Sequence, residues 1–147
     1  MPTRSARTAW TGSLQDGSGK VELTSSQLAT YDVSFPTRSA DSADGNTSPE
    51  ELIAAAHSAC YAMQLSAFVA EAGGTPQALD VSADVSLGED PSDGGFKLTG
   101  ITLTVRGEVD GIDEAAFQKA AEDAKAGCPV SKALTGVEIT LDAALES

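Results

Sequence analysis

Basic residues are scarce. Nine lysines and arginines face 22 aspartates and glutamates in 147 residues, a formal net charge of −13. A surface this acidic repels phosphate backbones and anionic lipid, so neither nucleic acid nor a membrane surface is expected as a partner. An unbroken apolar run of the roughly 18 residues a membrane span needs is also missing. The N-terminal segment MPTRSARTAWTGSLQDG carries basic residues with no apolar stretch behind them, unlike a secretory signal. The chain is therefore expected in the reducing cytoplasm. Cysteine occurs twice and histidine once. In a reducing compartment two cysteines read as free thiols, redox-active or inert, rather than as a permanent staple. One histidine and two cysteines fall short of the four ligands of a zinc site, so neither metal nor cofactor is expected.

What is present is an ordinary globular composition, 41% hydrophobic and 21% charged, at a length that fits one domain over 1–147. Residues 6–35 alternate loosely between apolar and polar, with turn residues between short runs, and predict two or three antiparallel strands. Residues 36–47 (PTRSADSADGNT) read as a polar loop. Ser48-Pro49-Glu50-Glu51 then has the form of a capping box with proline at the first helical position. The helix it starts is Ala-rich, with Leu52, Ala56, Ala59, Met63 and Ala67 near helical spacing, and Gly73-Gly74 stops it. So few bulky or charged side chains interrupt residues 52–70 that burial on nearly all sides is expected, a hint of an intimate dimer.

Residues 79–87 and 96–109 alternate with period two and predict a strand pair, with a phase shift at Gly100. Residues 113–126 predict an amphipathic helix with Asp113 as its cap and Ile112 set against Phe117 as a staple. A second helix is predicted from Cys128-Pro129, and 137–145 is a closing strand. The order of strands, long helix, strands, helices and strand predicts an α+β domain.

Few residues can carry chemistry. Cys128 precedes a proline at a helix start, where unpaired amides favour a thiolate; it reads as a reactive cysteine or a cap-like buried thiol. Cys60 lies well inside an apolar helix. It reads as a small core hydrophobe unless a cation draws its pKa down, and Arg38, Arg106, Lys97, Lys125 and Lys132 are the candidates. His57, one turn earlier, reads as a base, a metal ligand or a packed helix histidine. Trp10, Tyr31, Phe35, Phe68 and Phe96 read as core or interface, some of them lining an apolar pocket.

Ser-Pro-Glu-Glu-Leu-Ile-Ala-Ala-Ala-His-Ser-Ala-Cys at 48–60 and Ala-Gly-Cys-Pro-Val-Ser-Lys-Ala-Leu at 126–134 resemble the two signature segments of the OsmC/Ohr family, the osmotically inducible protein C and organic hydroperoxide resistance proteins. The resemblance implies an OsmC-like α+β fold, with antiparallel sheets around a long central buried helix, in an intertwined homodimer. It implies a peroxidase acting on organic hydroperoxides, with hydrogen peroxide as a further substrate, in stress defence. Four catalytic positions follow from it: Cys60 and Cys128 as the two cysteines, Glu50 as the glutamate ten residues before the first, and Arg38 as the arginine. The stretch 11–30 holds no arginine, which places the chain nearer the OsmC branch.

In the implied mechanism a guanidinium holds Cys60 as thiolate and polarises the peroxide, while Glu50 orients that guanidinium. Cys60 becomes a sulfenic acid and Cys128 condenses with it to a disulfide. An external dithiol, in the family a lipoylated protein, then reduces the disulfide. In one straight helix over 49–60, Glu50 and Cys60 stand roughly 15 Å apart along the axis. Either the helix breaks early, or Glu50 and Arg38 of one subunit meet Cys60 of the other. Two other functions stay open on the same cysteines: a non-enzymatic binding or stress protein, and a redox sensor that reacts once.

Overall fold

The loosely alternating N-terminal segment forms three strands, β1 (Arg7–Thr11), β2 (Ser18–Glu22) and β3 (Thr30–Val33), paired antiparallel in chain order. Gly19 opens the face of this sheet to Trp10: a Cβ there would stand 2.9 Å from the indole ring. The computed structural model describes all residues from Met1 to Ser147. Its contacts gather into two units, Met1–Leu52 and Ile53–Ser147, where the sequence reads as one domain. Each unit has its own three-stranded sheet.

In the first unit the segment after β3 is not all loop. Phe35–Arg38 makes a single helical turn, α1, capped by Ser34, whose hydroxyl accepts from the Thr37 amide. A serine followed two residues later by proline is a short start signal, and one turn is all it supports.

The next helix, α2 (Pro49–Glu71), runs unbroken for 23 residues. Ser48 Oγ accepts from the Glu51 amide at 3.1 Å, half of the expected capping box. The other half is diverted, because the Glu51 carboxylate accepts from the Thr47 hydroxyl at 3.1 Å. The helix ends in a Schellman motif: Gly74 N–H bonds Val69 O, Gly73 N–H bonds Ala70 O, and Gly73 takes φ +92°.

Burial on nearly all sides of α2 does not occur within this chain. The buried stripe of its second-unit portion is His57, Tyr61, Leu65 and Val69, one residue per turn. Of the stripe read from the sequence, Ala56, Ala59, Met63 and Ala67 are exposed, Met63 at 74%. The apolar composition is real, but one sheet face covers only one stripe of a helix. By length and composition α2 is also long and apolar enough to cross a membrane, which a search for an unbroken apolar run does not flag.

The second unit's sheet is β4 (Thr75–Glu89), β5 (Phe96–Asp110) and β6 (Ile139–Leu145), in that order. β4 and β5 pair antiparallel, and the register shifts where Ser86 faces Gly100 but Leu87 faces Leu98, the expected phase shift. β6 pairs parallel to β5, so this sheet is mixed rather than antiparallel. The physical reason is the connection: α3 (Glu114–Gly127) and α4 (Pro129–Ala133) return the chain to the start of the sheet before β6 begins. Asp113 caps α3, accepting from the Ala116 amide at 2.8 Å.

The core of this unit joins Tyr61, Leu65 and Val69 of α2 to Leu103, Val105 and Val109 of β5 and to Phe117, Ala120, Ala121 and Ala124 of α3, with Cys128 at its margin in sequence but fully buried. Ile112 packs against the same cluster that holds Phe117. Gly107 matters here. A Cβ on it would meet the Phe117 ring at 2.7 Å, so its absence lets α3 lie close on the sheet.

Candidate active site

Two of the four candidate residues meet in the first unit. Arg38, the last residue of α1, donates from Nε to Glu50 Oε1 at 3.1 Å and Oε2 at 3.2 Å, and from Nη2 to Oε1 at 2.7 Å. This two-nitrogen grip fixes the plane of the guanidinium, and Nη1 takes no part in it. The Glu50 side chain is 10% exposed and that of Arg38 33%, so the pair is partly shielded from water. Glu50 gains further from its place in the first turn of α2, at the positive end of the helix dipole.

The turn that carries Arg38 is held by residues that the sequence reading does not single out. Ser34 and Thr37 share a hydroxyl–hydroxyl bond of 2.7 Å, Asn46 Nδ2 donates to Thr37 Oγ1 at 3.0 Å, and Thr47 N–H bonds Asp32 O at 3.0 Å. Asn46 thus ties the end of the 39–47 segment to the turn at its start, and Thr47 ties it to β3. Behind the guanidinium lies a cavity of about 250 Å³, lined by Trp10, Leu14, Val21, Val33, Phe35 and Leu52 with Arg38 in its wall. Trp10 and Phe35 therefore serve as pocket lining. Phe96, by contrast, is 58% exposed.

The two cysteines meet in the second unit. Both are free, and their sulfurs are 3.2 Å apart. Cys60 is half-buried on α2, and Cys128 is fully buried at the junction of α3 and α4. Cys128 closes one helix and opens the next. Its N–H bonds Ala124 O at 2.9 Å, and it stands in the cap position before Pro129. Proline cannot extend α3, and it is well suited to start α4.

The pair does not share charge evenly. Burial pushes the Cys60 thiol up; the Val130 amide opposes this, and the neighbouring Cys128 sulfur adds to the rise. Burial also pushes on Cys128, but the Ser131 amide, Cys60, the Ser131 hydroxyl and the Val130 amide outweigh it, and the Cys128 thiol ends below its ordinary value. Within this unit the negative charge is thus better placed on Cys128. Of the four other cations read from the sequence, three are engaged elsewhere, Arg106 with Asp142, Lys97 with Asp90 and Lys125 with Glu122, and Lys132 is exposed on α4.

Beneath the cysteines His57 Nε2 lies 2.8 Å from Ser131 Oγ, both side chains buried. Ser131 is a further site residue that sequence reasoning misses. Its signal is its place three residues after Cys128, at the start of the same short helix. No three His, Cys, Asp or Glu side chains come together in a metal-holding arrangement.

The chain carries α2 without a break, so Glu50 and Cys60 stand ten residues apart on one helix, roughly 15 Å of rise. Of the two arrangements the spacing allows, an early break in the helix is not the one adopted.

Comparison with known proteins places these features in context. The family model described as OsmC-like protein matches residues 41–142. The chain is 46% identical over 138 residues to the peroxiredoxin OsmC of Escherichia coli, covering 94% of this chain and 93% of that one. It is 38% identical over 130 residues to the organic hydroperoxide resistance protein OhrA of Bacillus subtilis, covering 86% and 87%. Among solved structures, an organic hydroperoxide resistance protein OsmC from Legionella pneumophila superposes with a TM-score of 0.77 at 26% identity, covering 98% of both chains.

Proposed function

This chain belongs to the OsmC-like family, and from that premise we propose that it is a thiol-dependent peroxidase that reduces organic hydroperoxides to alcohols. The observation that carries the reading is the approach of two free sulfurs to 3.2 Å, at a half-buried Cys60 and a buried Cys128. Core hydrophobes do not require that approach; a thiol that must be resolved as a disulfide does.

The roles assigned are as follows. Cys60, the more accessible sulfur, attacks the distal oxygen of the hydroperoxide, becomes a sulfenic acid and releases the alcohol. Arg38, oriented by Glu50, supplies the positive charge that Cys60 lacks in its own unit and steadies the departing oxygen. Cys128 condenses with the sulfenic acid and prevents further oxidation. The apolar cavity beside Arg38 suits a hydrocarbon tail, which favours organic peroxides over hydrogen peroxide. An external dithiol, most simply a lipoylated protein, returns the disulfide to thiols.

We further assign the site to a homodimer, in which Arg38 and Glu50 of one subunit serve Cys60 of the other. The unbroken α2 supports this, as does its uncovered apolar stripe at Ala56, Ala59, Met63 and Ala67. A monomeric variant with full turnover contradicts the shared site.

The test is turnover. Purified protein is mixed with cumene or tert-butyl hydroperoxide and a lipoyl reducing system, and peroxide loss is followed. Catalytic loss that Cys60→Ser abolishes is the expected result. One stoichiometric oxidation without turnover makes the protein a sensor, and no thiol reaction makes it a binding protein.

A further inference from the structure

The chain has one histidine, and its position is unusual for a side chain with no assigned task. His57 is fully buried on the core stripe of α2, with Nε2 at 2.8 Å from Ser131 Oγ and Nδ1 buried without a hydrogen-bond partner. A neutral imidazole has one donor and one acceptor nitrogen. A buried N–H without a partner is rarer in proteins than an under-used acceptor, so the proton belongs on Nε2 and the bare lone pair on Nδ1. Burial also disfavours the imidazolium and holds the His57 pKa below its ordinary value.

This tautomer sets a direction. Nε2–H donates to Ser131 Oγ, so the serine's own proton must point elsewhere. Ser131 is the third residue of α4, and Cys128 is the cap residue before it. The serine hydroxyl and the thiol thus belong to the same short helix start, three residues apart. The Ser131 hydroxyl favours the thiolate form of Cys128.

We propose that His57 and Ser131 are a positioning pair for the sulfur of Cys128: the imidazole N–H fixes the serine hydroxyl as a donor, and the hydroxyl holds Cys128 as a thiolate. The purpose of the pair rests on the peroxidase reading, but its geometry does not. In the resolving step the Cys128 thiolate attacks the sulfur of the Cys60 sulfenic acid. An S–S bond forms, the S–O bond breaks, and the hydroxide that leaves takes a proton from solvent. In the reducing step a thiolate of the external dithiol attacks Cys60, the sulfur that is not fully buried. The S–S bond breaks and its electron pair goes to Cys128, which leaves as the anion that Ser131 is set to receive. The second thiol of the dithiol loses its proton to solvent and attacks the mixed disulfide, which frees Cys60 as a thiolate and leaves the donor oxidised. The pair thus decides which of the two sulfurs the reductant takes.

The titratable groups facing Cys128 are Cys60 and Tyr61 of α2; His57, also on α2, faces Ser131, and α3 sets Glu122 near Tyr61. The test removes the nearest of them. In a Cys60→Ser background the Cys128 thiolate is titrated by its ultraviolet absorbance. Ser131→Ala is expected to raise the midpoint by about one pH unit, and Ser131→Thr, which keeps the hydroxyl, to restore it. Independently, the nitrogen-15 spectrum of the single histidine in the unaltered reduced chain is expected to show the proton on Nε2. An unchanged midpoint in Ser131→Ala, or a proton on Nδ1, overturns the proposal. Neither measurement uses peroxide. A shifted midpoint in a protein without peroxidase turnover keeps the pair and sinks the peroxidase reading; turnover with an unshifted midpoint does the reverse.

Discussion

Cys60 and Cys128 stand 68 positions apart in the chain, yet their sulfurs lie 3.2 Å from each other. A disulfide holds its sulfurs at about 2.05 Å, so closure needs a shift of only about 1.2 Å. The two helices that carry them need not separate or refold. Rotation about the side-chain bonds supplies such a distance, which makes resolution a local event.

The first prediction follows from that proximity. Cys128→Ser is expected to leave the first oxidation of Cys60 intact and to remove its resolution. With repeated peroxide, mass spectrometry should then find Cys60 carrying two oxygens, the sulfinic acid, where the unaltered protein yields a disulfide. Normal turnover of Cys128→Ser with a dithiol donor removes Cys128 from the cycle.

The Arg38–Glu50 pair makes a second prediction, about rate rather than stability. The grip uses Nε and Nη2 of a planar group, which lysine cannot copy. Arg38→Lys keeps the charge and loses the orientation. Its single-turnover oxidation of Cys60 is expected to slow by about 100-fold, as when one aimed donor is lost from an anion-stabilising site. Glu50→Gln should slow the same step to a lesser degree, because it leaves the guanidinium present but poorly aimed. Equal rates for all three proteins place Arg38 outside the chemistry.

How much of this was legible in the sequence depends on range. Features within one turn of chain read well: the Ser48 cap, the Gly73 stop, the Asp113 cap and the shift beside Gly100 all follow from residues a few positions apart. Those that depend on what faces a segment did not. The Ala56–Ala59–Met63–Ala67 stripe is as apolar as the His57–Tyr61–Leu65–Val69 stripe, and nothing in α2 itself says which one a sheet will cover. The parallel pairing of β6 is set by where α3 and α4 return the chain, not by the strand's own alternation. The meeting of Cys60 with Cys128 was implied by family resemblance alone, since no periodicity links residues so far apart. Ser131 went unseen because a serine in a helix start is ordinary until a buried histidine is found against it.

A third prediction concerns pH and stability. Burial holds the His57 pKa below its ordinary value near 6.5. Below that value the unfolded chain takes up a proton that the folded chain refuses, so the stability contributed by neutral His57 is present above about pH 6.5 and lost as pH falls. The unfolding free energy should therefore drop between about pH 6.5 and 5, with a slope of up to about 1.4 kcal/mol per pH unit, before most carboxylates titrate. His57→Gln removes the slope in that window. Urea unfolding across the range checks it, and a flat profile for the unaltered chain contradicts it.

Tyr61 supplies a fourth, smaller effect. Its hydroxyl donates to Ala121 O at 3.0 Å inside the core and ties α2 to α3. Tyr61→Phe leaves the ring packing and removes one buried hydrogen bond, while Ala121 O keeps its partner within α3, so the change should cost about 0.5–1.5 kcal/mol. Leu65→Ala on the same stripe should cost about 2–5 kcal/mol, since it opens a cavity rather than removing one bond. Denaturant midpoints rank the two, and a larger loss for Tyr61→Phe means the buried hydroxyl holds more than this bond.

The proposed sharing of each active site between two subunits gives the last prediction, and mixing two variants tests it. Arg38→Ala retains Cys60, and Cys60→Ser retains Arg38, so each variant alone is expected to be inactive or nearly so. When the two are unfolded together and refolded in equal amounts, half of the dimers should contain one chain of each kind. If Arg38 and Glu50 of one subunit serve Cys60 of the other, every mixed dimer rebuilds one intact site and keeps one dead site. The mixture should then recover about a quarter of the unaltered turnover, half the dimers at half their sites. If each chain instead completes its own site, every site in the mixed dimer lacks either the sulfur or the guanidinium, and mixing recovers nothing. The readout is a gain of activity from two inactive proteins, which a general loss of stability cannot imitate. Without that gain, the uncovered apolar stripe of α2 still allows a dimer, but Arg38 must reach Cys60 within its own chain.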